Sequence, residues 1–442
     1  MKKFITTIKN IFSIEELRNR ILATLGFLVI FRLGSFVVLP GVDPTQLSDM
    51  DSGIFGILNA MLGGSFSRAS IFGLGIMPYI SASIVIQLMT VAVPSFQKMQ
   101  KEGESGRKKL TQITRVLTIL VTLAQSIGYL KVTIPAEAIS PNIDPTFFTI
   151  SSMILLTSGT MFCMWLGEKI TDKGIGNGIS MLIMIGIISS LPPAAINEFF
   201  VTNGINRALF SVVEIVALFF VVVVTVALVQ ATRRIPVQYA KQVVGGKVYG
   251  GQRQFIPLKV NSAGVMPIIF AQALMVLPTL IGNIWAEDSE FWYGVTNVFS
   301  SPYSAVYNIV FAVLIIAFTF FYTAITVNPS SMADDLKRNG GFIPGIKPGK
   351  PTSEFIGGVI DRITLPGSIF LAIIAVLPVF ARNAGVGDQF AYFYGGTSLL
   401  IMVGVILDTL QQIESYLLMR HYEGMMKSGK MRGRSQNVAV AS

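Results

Sequence analysis

One cysteine and one histidine serve a chain of 442 residues, of which only 13% are charged. The lone Cys163 excludes an intrachain disulfide, and the lone His421 excludes a histidine-based metal cluster. Charge is too sparse for an ordinary soluble protein, so no aqueous domain with a core of its own is expected. Catalytic groups are equally scarce. There is no Walker lysine pattern, and the apolar stretches hold no Ser/Lys dyad or clustered histidines. Only Asp408, Glu414, Glu214 and Arg32 are ionisable residues in reach there. The expectation is a protein that is not an enzyme, holds no metal or cofactor, and draws any energy for its work from a partner.

What the chain does have is apolar length. Hydrophobic residues make up 52% of it. They fall in runs of about 20, the length that crosses a bilayer as a helix. Ten such runs are read at 21–39, 74–93, 113–130, 148–166, 178–196, 211–230, 264–284, 305–327, 367–381 and 396–418. Of the 34 lysines and arginines, 29 lie in 1–20, 94–115, 167–177, 232–260, 328–366 and 419–442, which share one side if the runs alternate. Basic loops stay inside, so that side and both termini are expected in the cytosol. This gives an amphipathic cytosolic segment at 1–20, five spans at 21–196, an outer connection at 197–210, five more spans at 211–418 and a cytosolic tail at 419–442. Five spans in each half permit an inverted repeat. The start MKKFITTIKNIF is charged like the first part of a secretory signal. The next span is long and lacks a small-residue cleavage pattern, so no cleavage is expected.

One run is poorly built for a membrane helix. RASIFGLGIMPYISASIVIQLM (68–89) carries two glycines and Pro78, yet Ile76, Ile80 and Ile84 recur every fourth residue on one helix face. Proline in mid-run is expected to weaken the helix there. Just before it, SGIFGILNAMLGG (52–64) is apolar but too short to span. That suggests a re-entrant helix, buried in protein or beside a water-filled cavity. Arg32 is expected in a structural pair or snorkelling outward. Two connections are long. Residues 231–261 alternate about Gly245-Gly246 and Gly250-Gly251 like a hairpin, and 328–355 are rich in turn residues. The apolar residues kept in both favour docking surfaces over plain linkers. KGIGNGIS (173–180) follows a span and no strand, so it reads as a tight turn and not a phosphate loop.

These residues also carry a resemblance. The stretch 68–89 resembles the second-span signature of the SecY family, central subunits of bacterial protein-conducting channels. The likeness continues in order through KEGESGRKKLTQITR, MWLGEKITDKGIGNGISMLI, RRIPVQYAK, IPLKVNSAGVMPIIFA, FFYTAITVNPSSMADDLKRNGGFIPGIKPG and FYGGTSLLIMVGVILD. It implies an all-α membrane protein of ten transmembrane helices. Two five-helix halves would form a clamshell, with a short re-entrant plug helix. By motif, the pore ring would be Ile76, Ile80, Ile179, Ile183, Ile269 and Ile401. The plug would be 53–64, with Ile54, Phe55, Ile57, Leu58 and Met61. A lateral gate would lie between the spans at 74–93 and 264–284, with Ser81, Ile84, Gln87, Gln125 and Gln272. The three glutamines fit polar contacts across that gate and ordinary interhelical hydrogen bonds equally well. Asp408, seven residues after Ile401, would line the cytosolic vestibule.

The resemblance also implies partners. Loops 232–260 and 328–366 would dock the SecA ATPase or the ribosome through Arg233, Arg234, Lys241, Lys247, Arg253, Lys337, Arg338 and Lys347. Lys347 stands where the family usually has arginine; the charge survives but the planar fork does not. SecE and SecG subunits, signal peptides and nascent polypeptides would be further partners, with SecDF and YidC as associates and no sequence-specific nucleic acid. The setting would be the lipid bilayer of a bacterial inner membrane. The implied function is passage of unfolded polypeptide across that membrane and lateral release of transmembrane segments. The alternative is a secondary transporter of small solutes, which would need a polar midplane site where the expected waist is aliphatic. A scaffold without a pore is the blandest reading.

Overall fold

The structure, a computed structural model, describes residues 12, 14–47, 53–141, 143–201, 208–239, 242–244, 247–249, 253–285 and 290–427. Each of the ten apolar runs contains a helix. In the first half these are α1 (Glu15–Gly34), then, after the short α2 (Gly53–Met61), α3 (Met77–Ala92) with its continuation α4 (Pro94–Lys101), α5 (Glu104–Thr133), α6 (Pro145–Lys173) and α7 (Gly178–Ile196). In the second half they are α8 (Ala208–Gln230), α9 (Met266–Trp285), α11 (Ala305–Thr326), α13 (Lys350–Asn383) and α14 (Gly396–Lys427), with α10 (Glu290–Ser300) and α12 (Pro329–Arg338) as shorter links. Seven of the helices are long and apolar enough to cross a membrane alone; α3 and α4, bent by 98°, make an eighth. Helix α1 carries Glu15, Glu16, Arg18, Arg20 and Arg32, which dilute its hydropathy.

Several boundaries move. The segment expected to lie on the surface at 1–20 is helical with the first span from Glu15, and Leu17 is fully buried. That helix ends at Gly34, short of residue 39, and the chain then pairs Val38 with Ser70. Pro78 does not interrupt a span. It sits in the first turn of α3, where no helical partner exists for the missing N–H. Residues 62–76 before it form turns, with Gly63, Gly64 and Gly75 at positive φ.

The first half packs α3 on α5, α5 on α6, and α6 on both α1 and α7. The second packs α9 on α11 and α11 on α13. The halves meet along two seams, α7 with α14 and α3 with α9. The first seam is fastened at both ends. At one end Gly176 N–H donates to Gln412 Oε1 (2.8 Å). At the other, where a π-turn at Asn197–Val201 extends α7, Gly387 N–H donates to Glu198 Oε2 (3.1 Å). The turn after α6 is also tied to α1, for Ile175 N–H donates to Thr24 Oγ1 (3.0 Å). Asn177 caps α7 by accepting from Ile179 N–H and Ser180 N–H, which accounts for KGIGNGIS as a turn.

The two long loops, expected to lack a core of their own, share a small one. They fold together. Strand β1 (Thr232–Tyr239) pairs antiparallel with β4 (Arg253–Lys259), and β2 (Gln242–Val244) with β3 (Lys247–Tyr249) forms a smaller hairpin between them. From the other loop, β5 (Gly341–Phe342) adds to the free edge of β1. Ile235, Val237 and Leu258 then bury against Leu336, Ile343, Ile356 and Ile360. The last two belong to the first turns of α13, which start well before the apolar run at 367. A carboxylate placed in this small core would be buried without a partner, at a cost of about 3–5 kcal/mol. Ile356→Asp is therefore expected to open 232–260 to limited proteolysis, while the separate core around the isoleucines keeps its protection.

Candidate pore waist and plug seat

The isoleucine face begins at the turn before α3. Ile76 is the residue preceding the helix, and Ile80 and Ile84 follow one and two turns in. On α7, Ile179 and Ile183 stand one turn apart just inside the Asn177 cap. That helix enters close to α6, since a Cβ at Gly178 would lie against the carbonyl oxygen of Gly167. Ile269 comes from the first turn of α9 and Ile401 from the second of α14.

These residues, distant in sequence, converge. Ile76, Ile80, Ile183, Ile269 and Ile401 are 1–7% exposed and belong to one buried apolar cluster, with half-buried Ile179 packed against it. The cluster also takes in Met61, the last residue of α2, at 2% exposure. No group of metal-ligating side chains occurs among the described residues.

Helix α2 is held by its carboxyl end. Ser190 Oγ donates to Ala60 O (3.0 Å), and Thr397 Oγ1 lies 4.0 Å from Met61 Sδ. Arg32 Nη1 donates to Gly63 O (2.7 Å). Backbone meets backbone at Gly186, where a Cβ would press on Met61 O. Leu58 is buried as well. The side chains of Ile54, Phe55 and Ile57 lie outside the described residues.

The α3–α9 seam is apolar. Ile84 is buried in the same cluster as the waist. Ser81 is half-buried and donates to Met77 O within its own helix, and Gln87 Nε2 donates to Ser83 Oγ, also within α3. Gln125 is half-buried on α5. Gln272 departs from the expected gate. It is 3% exposed and lines a cavity of about 40 Å³ with Tyr303, Tyr307, Tyr392 and Ser398, all second-half residues. The glutamines therefore do not join across the seam, and no hydrogen bond crosses it among the described residues. The reason is local: Gln87 finds an acceptor one turn back, and Gln272 points into its own half.

Of the expected docking cations, Arg233, Arg234, Lys337, Arg338 and Lys347 are exposed on the paired loops. The side chains of Lys241, Lys247 and Arg253 lie outside the described residues. Asp408 is exposed on α14. Sequence reasoning missed Gly186, Ser190 and Thr397, the seat of α2. Small residues on a membrane helix signal close approach in general, not which neighbour approaches.

Known proteins place the chain. The SecY family model matches residues 70–410. The protein translocase subunit SecY of Halalkalibacterium halodurans is 43% identical, with 95% of this chain and 99% of that one covered. That of Streptomyces scabiei is 42% identical, with 96% and 100% covered. A solved structure described as a protein conducting channel superposes with a TM-score of 0.65 at 17% identity, covering 90% of this chain and 92% of that one. Sec61 in the canine ribosome-channel complex from the endoplasmic reticulum gives 0.60 at 16%, with the same coverage. At such identity these two likenesses speak for the fold alone. The family match and the relatives decide the rest: the chain belongs to the SecY family.

Proposed function

We propose that this chain is a protein-conducting channel whose waist is the six-isoleucine ring, closed by α2 as a plug. The observation that carries the reading is the convergence of Ile76, Ile80, Ile179, Ile183, Ile269 and Ile401, from four helices in two halves, with Met61 on the same apolar cluster. A polypeptide in transit must keep its backbone groups hydrated, because each unsatisfied group in hydrocarbon costs several kcal/mol. The route must therefore be wet when occupied and sealed to ions when empty. An aliphatic constriction does both: it dewets when vacant and offers a passing chain no hydrogen bond. A small-solute transporter would need charged or polar ligands at this point, and the reading rests instead on six aliphatic side chains.

In this reading the ten helices all span, the basic loops and both termini face the cytosol, and the membrane is the bacterial inner membrane. The α3–α9 seam is the lateral gate, which Ser81, Ile84, Gln87 and Gln125 border. The paired loops form the docking platform for the SecA motor or a ribosome, through Arg233, Arg234, Lys337, Arg338 and Lys347. SecE and SecG complete the complex. Asp408 lines the cytosolic vestibule.

The test is to stall a secretory chain in transit and crosslink it to cysteines placed singly at 80, 183, 269 and 401. All four are expected to react with the stalled chain, and a cysteine at Phe219, 69% exposed on α8, is not. Labelling at Phe219 alone, or at none of the four, would sink the ring.

A further inference from the structure

Two arginines converge at the far end of α1, with no counter-charge among the described residues. Arg32 Cζ lies 4.8 Å from the centre of the Phe36 ring, and Arg68 Cζ lies 4.6 Å from the same ring. Both guanidiniums also close on the turn that follows α2. Arg32 Nη1 donates to Gly63 O (2.7 Å). A Cβ on Gly63 would meet Arg32 Nη1 at 2.8 Å, and one on Gly64 would meet Arg68 Nη2 at 2.6 Å. Both glycines have positive φ, so the turn is shaped around the two cations.

Among the described residues neither arginine enters an ion pair. Arg68 Nη1 is buried and has no hydrogen-bond partner. A buried donor left unmade is costly, more so on a charged group. Two like charges on one ring add repulsion that an anion between them would relieve. Arginine's planar fork is suited to phosphate, which it binds with two parallel hydrogen bonds.

The surroundings say where the phosphate comes from. Helix α1 is 20 residues long, and at 1.5 Å per residue it is about as long as the hydrocarbon layer is thick. Arg32 therefore lies near headgroup level. Its neighbours Leu33, Phe36 and Val37 are 65, 56 and 50% exposed, a surface that faces acyl chains in a membrane. We infer that Arg32 and Arg68 form a binding site for the phosphate of an anionic phospholipid, with its acyl chains along Leu33 and Val37. The site goes beyond the channel reading and lies apart from the waist. Because Arg32 also holds Gly63 O, the lipid would sit directly against the tether of α2.

The experiment is native mass spectrometry of the assembled channel complex in detergent. It is titrated separately with phosphatidylglycerol, phosphatidylcholine and inorganic phosphate. Phosphatidylglycerol is expected to be retained about tenfold more than phosphatidylcholine, which carries the same phosphate but offsets it with a trimethylammonium that two arginines repel. Arg68→Gln is expected to lose most of that preference, and Arg68→Lys to keep part of it. If Arg68→Gln fails to assemble, Phe36→Leu serves instead, since it keeps both charges but removes the ring they share; it too is expected to weaken the preference. Inorganic phosphate that binds the wild type and is lost in Arg68→Gln would confirm the anion site but assign it to the free ion. Equal retention of the two lipids by the wild type would overturn the inference. So would an undiminished preference in Arg68→Gln or, in its place, Phe36→Leu.

Discussion

Ile401→Asn is expected to turn the resting channel leaky. Ile401 is 1% exposed and belongs to one apolar cluster with Ile76, Ile80, Ile183, Ile269 and Met61. Asparagine brings two donors and two acceptor sites into a place that offers no partner. Leaving such groups unmade costs about 1–3 kcal/mol, and the aliphatic contacts are lost as well. Weakening the closed state by about 3 kcal/mol relative to an open, hydrated one lowers the closed-to-open ratio roughly a hundredfold. The check is ion conductance of the reconstituted complex with no substrate, together with export of a protein whose signal sequence is defective. Both should rise. Ile401→Leu, which keeps volume and hydrophobicity, should change little. Wild-type conductance in Ile401→Asn would show that this side chain is core and not seal.

Gly186→Val is expected to unseat the plug by a different route. The substitution changes no ring residue, but its Cβ would press on Met61 O and lie 3.1 Å from Met61 C and 3.3 Å from Gly63 N. All three are backbone atoms, so no side-chain rotation relieves the clash. Either α2 or α7 must move, and α2 is the element with fewer neighbours. Leak in this variant should approach that of a channel lacking residues 53–64. The two changes should also fail to add, because both act on one contact. Additive conductance would mean that Gly186→Val acts on the helix bundle and leaves the plug seated.

The membrane helices were legible because hydropathy and length act locally, and a run of twenty apolar residues has few alternatives in lipid. The isoleucine stripe was legible because every fourth residue shares a face. Other features depended on which segments meet. The pairing of Gly341–Phe342 with β1 rests on a two-residue strand, and no periodicity shows in so short a piece. The apolar residues of the two loops were noticed, but each loop alone looked like a docking surface. Their true partners were 100 residues apart, so the shared core went unseen. Pro78 was misread because the start of α3 is set by the glycine turn before it, which the apolar composition hides. Residue type does not say which way a buried amide such as Gln272 faces, so its place beside the second-half cavity was not legible.

The two seams between the halves differ in chemistry, and that fixes how the molecule can move. Along α7 and α14 the halves are pinned top and bottom by Gly387 to Glu198 and Gly176 to Gln412. Along α3 and α9 no hydrogen bond crosses among the described residues, and Ile84 and Ile269 share one apolar cluster. On the proposed channel reading the protein would be bound like a book, with the pinned edge as its spine and the pages parting on the opposite side. A greasy helix arriving there would replace one oily contact with another, so turning the page asks for little work beyond bending the spine.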